Sequence, residues 1–191
     1  MATVATPMGA EPVNTLSASG SFTGKVRHIK IASGYGTAIF YGDFVKLVST
    51  GTVEKDTGTS SLTPVGVFVG CSYTDPSTSQ LTFNQTFPAS TAADDIMAYV
   101  VDDPNLVMQM QSSGVLSQTE LGNNIAVVQT AGSTSIGRSK NSLGDTGATT
   151  NTLPMRIIEF VDGPNSAVGD AFTDALVFFN VGHQYTNTTG V

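Results

Sequence analysis

Tryptophan is missing from this 191-residue chain, cysteine occurs once, histidine twice, and charged side chains make up 12%, against about a quarter in an average domain. Each scarcity closes a route. A single Cys71 permits neither an intrachain disulfide nor a cysteine metal cluster. It stands in an alternating apolar run, where it reads as a small core hydrophobe rather than a reactive thiol. His28 and His183 are too few for a tight transition-metal site, which needs several convergent ligands. No Gly-x-Ser-x-Gly elbow is present to supply a nucleophile for either of them. Glu, Lys and Arg are thin, so long solvent-facing helices are not expected. No apolar run approaches the ~18 residues of a membrane-spanning helix. The start, MATVATPMGAEPVNTLSASGS, lacks a basic stretch followed by an apolar one and does not read as a secretory leader. Folding in a cytoplasm is expected.

What the chain has instead is Gly, Ser, Thr and Asn around short alternating apolar runs. These residues supply tight-turn geometries, and a period of two marks half-buried strands. The expected fold is all-β and antiparallel. In KVRHIKIAS, Val26, His28 and Lys30 share one face; in DFVKLVS, Val45 and Leu47 oppose Phe44, Lys46 and Val48. TPVGVFVGCSYTD is the cleanest strand, with Val65, Val67, Val69 and Cys71 on one face and Gly66, Phe68, Gly70 and Ser72 on the other. Glycine weakens a strand unless something packs closely over it, so a neighbouring backbone or ring is expected at Gly66 and Gly70. QLTFNQTF places Leu81, Phe83 and Phe87 inward by the same rule. DDIMAYVVDDP and NLVMQMQ follow as further strands.

Around GVLSQTELGNN the pattern changes. Ser117 and Glu120 have capping-box spacing and Gly122 can end the turn they start, which predicts one short helical turn and a boundary near residue 112. NIAVVQTAG returns to strand, STSIGRSKNSLGDTGATTNT is a polar loop with brief pairing, and LPMRIIEF and ALVFFNV form a final pair. A turn at Asp162-Gly163-Pro164-Asn165 joins that pair. The expected organisation is an extended N-terminal arm over 1–24, β domains over 25–112 and 113–185, and a tail over 186–191.

The net charge is −7 but uneven. Residues 1–30 carry Lys25, Arg27 and Lys30 against Glu11 alone, whereas Cys71 to Gly137 holds six carboxylates and no Lys or Arg. Nucleic-acid binders show a basic stripe with interleaved aromatics, so neither nucleic acid nor a membrane is an expected partner. A basic edge meeting an acidic one suits contact between copies, and simple solubility charge is the plainer reading.

The search for chemistry is mostly negative. Asp94-Asp95 and Asp102-Asp103 are paired acids, but neighbours in a strand point to opposite faces. Asp102-Asp103-Pro104-Asn105 reads as a turn. Asp162, Asn165, Asp170 and Asp174 are hard oxygen ligands without EF-hand spacing, which leaves Ca²⁺ as an open alternative. EKDTGTSS lacks the Gly-Lys-Ser/Thr ending of a phosphate loop. No cofactor and no enzyme activity are expected.

Two segments carry a likeness. IFYGDFVKLVSTGTV with SLTPVGVFVGC, through Gly42-Asp43-Phe44-Val45 and Pro64-Val65-Gly66-Val67, resembles the small β-domain of tailed-phage capsid decoration (cement) proteins. The second runs from SQTELGNN through GRSKNSLG and LPMRII to NVGHQY. It resembles the C-terminal part of virion structural proteins of podovirus-like phages. The resemblance implies two small barrel- or sandwich-like (β-tulip-like) domains and a non-enzymatic role on the outer surface of the head. The expected partners are the major capsid protein and further copies in a homotrimer, assembled in a bacterial cytoplasm and located on the virion. Expected contact residues are Lys25, Arg27, His28, Lys30, Phe44 and Lys46. Other virion β-proteins at the head–tail junction or tail, and a carbohydrate-binding adhesion module, are the alternatives.

Overall fold

Short alternating runs without helix formers fold as open antiparallel sheets, and the computed structural model describes them over residues 4–16, 22, 24–187 and 189–191. Strands are numbered in chain order. The first sheet has the order β1 (Glu11–Thr15), β8 (Leu106–Gln111), β13 (Asp174–Phe179), β12 (Met155–Phe160), β9 (Asn124–Ile125). The second has the order β2 (Arg27–Lys30), β7 (Met97–Val101), β5 (Gly66–Thr74), β3 (Phe44–Leu47), β4 (Val53–Lys55), with β6 (Leu81–Asn84) also on β5. A two-stranded piece pairs β10 (Val127–Val128) with β11 (Ser142–Leu143). No sheet closes into a barrel, and among the described residues the helical content is one 3₁₀ turn, Gln118–Glu120. The capping box of that turn is formed, the Ser117 N–H donating to Glu120 Oε2 at 2.7 Å, and Gly122 follows with φ +84.

Two cores result. Phe44, Val67 and Val101 of the second sheet meet Leu106, Met108, Met155, Ile157, Val177 and Phe179 of the first. On its other face the second sheet buries Val45, Phe68, Cys71, Ala98 and Val100 with Ile31, Ile39, Phe87 and Ile96. β3 is therefore covered on both sides, which is why Phe44 and Val45, pointing opposite ways, are both fully buried.

The central strand β5 does not keep one phase. Its pairing with β7 shifts between Phe68 and Gly70, where Gly70 takes φ +145. An extra residue in one strand reverses which side every later side chain faces. Val67 and Val69 thus turn to the first core, while Cys71 and Tyr73 turn to the second. The single valine–cysteine face expected from alternation is corrected accordingly. The close approach expected at the glycines is present. A Cβ on Gly66 would sit 2.2 Å from the Val101 carbonyl oxygen, and one on Gly70 would sit 3.2 Å from Asn84 O and 3.6 Å from the Tyr99 ring.

The N-terminal segment contributes more than an arm. Residues 1–3, 17–21 and 23 lie outside the described residues, but Glu11–Thr15 pairs with β8 as an edge strand, the position that tolerates Pro12. Before it, Gly9 and Ala10 are buried, and the Ala10 N–H donates to Gly42 O at 2.9 Å. The expected boundary near residue 112 falls inside the first sheet, where β8 pairs with β13 across it. The polar loop over 133–152 is partly interior: Ser139, Asn141, Ser142 and Leu143 are buried. The turn after Asp162 forms, with the Gly163 N–H donating to Ser166 O at 2.7 Å.

Candidate interaction surface

Beyond the first sheet's cover, the second sheet's strands continue with one face open. Cross-strand register places Phe83, Ser72, Met97 and Lys30 in a single row over β6, β5, β7 and β2. Directly paired residues point to the same side of a sheet, and four strands span about 14 Å. Leu81 and Thr74 form the row on one side, and Tyr99 and His28 extend the other. Leu81 is 62% exposed, Phe83 69% and Met97 37%. Two steps along the same face of β7, Val101 is buried in the inter-sheet core. The open face is therefore the uncovered end of a core-forming surface.

Alternation on QLTFNQTF identifies residues sharing a face but assigns the wrong direction to two of them. Leu81 and Phe83 look outward, and only Phe87, beyond the strand, is fully buried. The reason is that nothing among the described residues packs over this end of the sheet.

Polar groups frame the patch. His28 packs its ring 4.5 Å from that of Tyr99; His28 and Lys30 are exposed on β2, an edge strand, and Lys25 is exposed just before it. At the opposite corner Asp95 accepts from the Thr74 hydroxyl at 2.6 Å and from its N–H. These hydrogen bonds, the hydroxyl's first, hold the carboxyl below its usual range and keep it charged.

The six expected contact residues do not form one site. Arg27 alternates to the other side of β2, ion-pairs with the buried Asp102 and stands 5.6 Å over the Tyr185 ring. Lys46 is half-buried opposite Glu54 on β4. Phe44 is fully buried, edge-on to Phe179 with centroids 6.0 Å apart, so it is corrected from a contact residue to a core residue. No protein-family model matches this chain, and neither a curated protein nor a solved structure matches it at a significant level.

Two interior sites were not legible in the sequence. Asp43 is fully buried. It accepts from Lys55 Nζ at 2.8 Å, from the Phe40 N–H at 2.9 Å and from Asn141 Nδ2 at 3.2 Å. His183 is 2% exposed between the rings of Phe179 and Tyr185, and burial pushes its pKa below the ordinary histidine value. Among the described residues no three His, Cys, Asp or Glu side chains gather as a metal site. Asp170 and Asp174 from the Ca²⁺ alternative instead serve local bonds, Asp170 accepting from the Ala167 N–H and Asp174 lying 3.5 Å from Gln109 Nε2.

Proposed function

We propose that this protein is a non-enzymatic decoration protein of a tailed-phage head, docking its open sheet face on the outer surface of the major capsid protein and bracing neighbouring capsomers as a trimer. The observation that carries the reading is the Leu81–Phe83–Met97 patch beside Lys30 and His28. Contiguous apolar surface rimmed by polar groups marks docking sites on soluble proteins. The basic side of the patch suits an acidic capsid surface, with charge setting approach and register and the apolar residues supplying affinity. The likeness of IFYGDFVKLVSTGTV with SLTPVGVFVGC, through Gly42-Asp43-Phe44-Val45 and Pro64-Val65-Gly66-Val67, to decoration proteins adds a second support.

Co-sedimentation of the purified protein with undecorated heads tests this. Saturable binding at hundreds of copies per head is expected, and a Phe83→Ser variant should lose it. Failure of the wild-type protein to bind heads would sink decoration. A handful of copies per virion would instead indicate a head–tail or tail component.

A glycan-binding reading has one observation of its own. A groove of about 600 Å³ between Asn84–Thr86 and Thr134–Gly137 is lined by uncharged groups, with Phe40, Pro88 and Ile136 as its apolar surface. Binding to a glycan array in the absence of capsid would favour that reading.

A further inference from the structure

The cluster around Asp43 holds a complete set of reactants. Its two carboxylate oxygens face two different nitrogens: Lys55 Nζ is 2.8 Å from Oδ2, and Asn141 Nδ2 is 3.2 Å from Oδ1. Asp43 and Asn141 are fully buried, and the Lys55 side chain is 10% exposed. On its other end the Asn141 amide is polarised, because Oδ1 accepts from the Thr130 N–H at 3.0 Å. Residues Met8–Ala10 close over the neighbouring Gly42 and Ser139, where a Cβ on Gly9 would sit 2.6 Å from both Gly42 O and Ser139 Cβ. Nothing in the capsid-binding reading uses this amine, carboxyl and carboxamide held together away from water.

We propose that Lys55 and Asn141 join in an intramolecular isopeptide bond, formed by the protein on itself with Asp43 as proton carrier. In the first step the proton shared between Lys55 Nζ and Asp43 Oδ2, 2.8 Å apart, passes to Oδ2 and leaves an amine beside a carboxyl. The Nζ lone pair attacks Asn141 Cγ. Negative charge develops on Oδ1, where the Thr130 N–H already donates. The Asp43 carboxyl gives its proton to the departing Nδ2 and takes one from Nζ. The Cγ–Nδ2 bond breaks, the Nζ–Cγ bond remains, and one ammonia leaves. The neutral carboxyl of Asp43 ends bonded to the new amide, so protons and charge balance with no outside reagent. Alignment of the three groups by the fold supplies the proximity that a bimolecular transamidation lacks. The bond would tie β4, at the edge of the second sheet, to the loop that enters β11.

The reaction and its absence differ in mass and in tryptic fragments. Intact-mass spectrometry of the full-length folded protein should show a deficit of one ammonia. Trypsin should then fail to cut at Lys55, and since no Lys or Arg lies between Lys55 and Arg138, the peptide 47–138 should appear branched to 141–156. Lys55→Met and Asp43→Asn should return to full mass, while Glu54→Gln should keep the deficit. Full mass in the wild-type protein would overturn the proposal. So would a deficit with Lys55 still cleaved, since that is the signature of an asparagine succinimide. Should either core variant fail to fold, the wild-type fragments decide the matter alone. The result is independent of capsid binding, which the sedimentation assay reads separately.

Discussion

Replacing Gly66 by alanine tests the packing at the centre of the second sheet. The added Cβ would lie 2.2 Å from Val101 O, 2.8 Å from Val100 Cγ1 and 2.9 Å from the Val101 carbonyl carbon. An ordinary van der Waals contact is 3.4–4 Å, so the β5 and β7 backbones must part by more than an ångström. Both cores border that seam, through Val67 and Val101 on one side and Phe68 and Val100 on the other. Overpacking in a core costs about 1–3 kcal/mol when side chains yield. Here the obstacle is main chain in the middle of a sheet, so about 3 kcal/mol or more is expected, out of a total stability of roughly 5–15 kcal/mol. For a chain of this size that is a fall of roughly 6–12 °C in Tm. Gly36→Ala is the matched control, since nothing lies within 4 Å of its Cβ and its φ is outside the left-handed region. It should be neutral or stabilise by up to about 1 kcal/mol through the unfolded chain. With no tryptophan in the chain, far-UV circular dichroism during heating and in urea is the assay. A Gly66→Ala protein melting within a degree of the wild type would refute the close β5–β7 packing.

Other residues give shorter tests. Phe44→Ala should destabilise by about 3–5 kcal/mol in urea unfolding, because the ring is fully buried against Phe179; a contact residue on the surface would leave the midpoint unchanged. His183 is held neutral by burial, with a folded pKa below the ordinary 6.5. The unfolded chain therefore takes up its proton first, and this contribution to stability is full above 6.5 and lost as pH falls through 6.5 toward the folded value. His183→Phe should flatten that part of the stability–pH curve, and an unchanged slope would show that His183 is not its source. The Cys71 thiol is buried, with its pKa pushed up to about 12 by desolvation. It should ignore a thiol reagent in the native state and react fully in denaturant.

Much of the fold was legible in the sequence because period-two patterns survive wherever a strand has two unlike neighbours. The segments of β5, β8, β12 and β13 were readable on this ground, as were the capping box at Ser117 and the turn at Asp162. The misreadings share a cause: alternation says which residues share a face and is silent on what covers it. Leu81 and Phe83 look outward because the sheet outruns its partner, and Phe44 looks inward because β3 is covered twice. A bulge at Gly70 leaves no mark in composition, so the change of side at Cys71 was invisible. β1 went unseen because EPVNT has no apolar period and includes a proline that only an edge strand accommodates. The Asp43 site was hidden by distance along the chain, its amide partner lying 98 residues away. For the interaction surface, the basic side chains of β2 were legible, while the apolar patch they flank required the register of four strands.

The place of β1 also sets an order of events during synthesis. Glu11–Thr15 is made first, yet its partner β8 begins 95 residues later at Leu106. At ribosomal rates of about 5–20 residues per second, that is a wait of roughly 5–20 s. The sheet's central strand, β13, is made later still, beginning at Asp174. The second sheet has all its partners between Arg27 and Val101 and is complete while the rest is still being made. The nascent chain therefore carries the inner face of that sheet, Phe44, Val67 and Val101, bare until its last strands emerge. Crowding of polysomes at high expression is the stage at which this protein is most exposed to misassembly with its own copies.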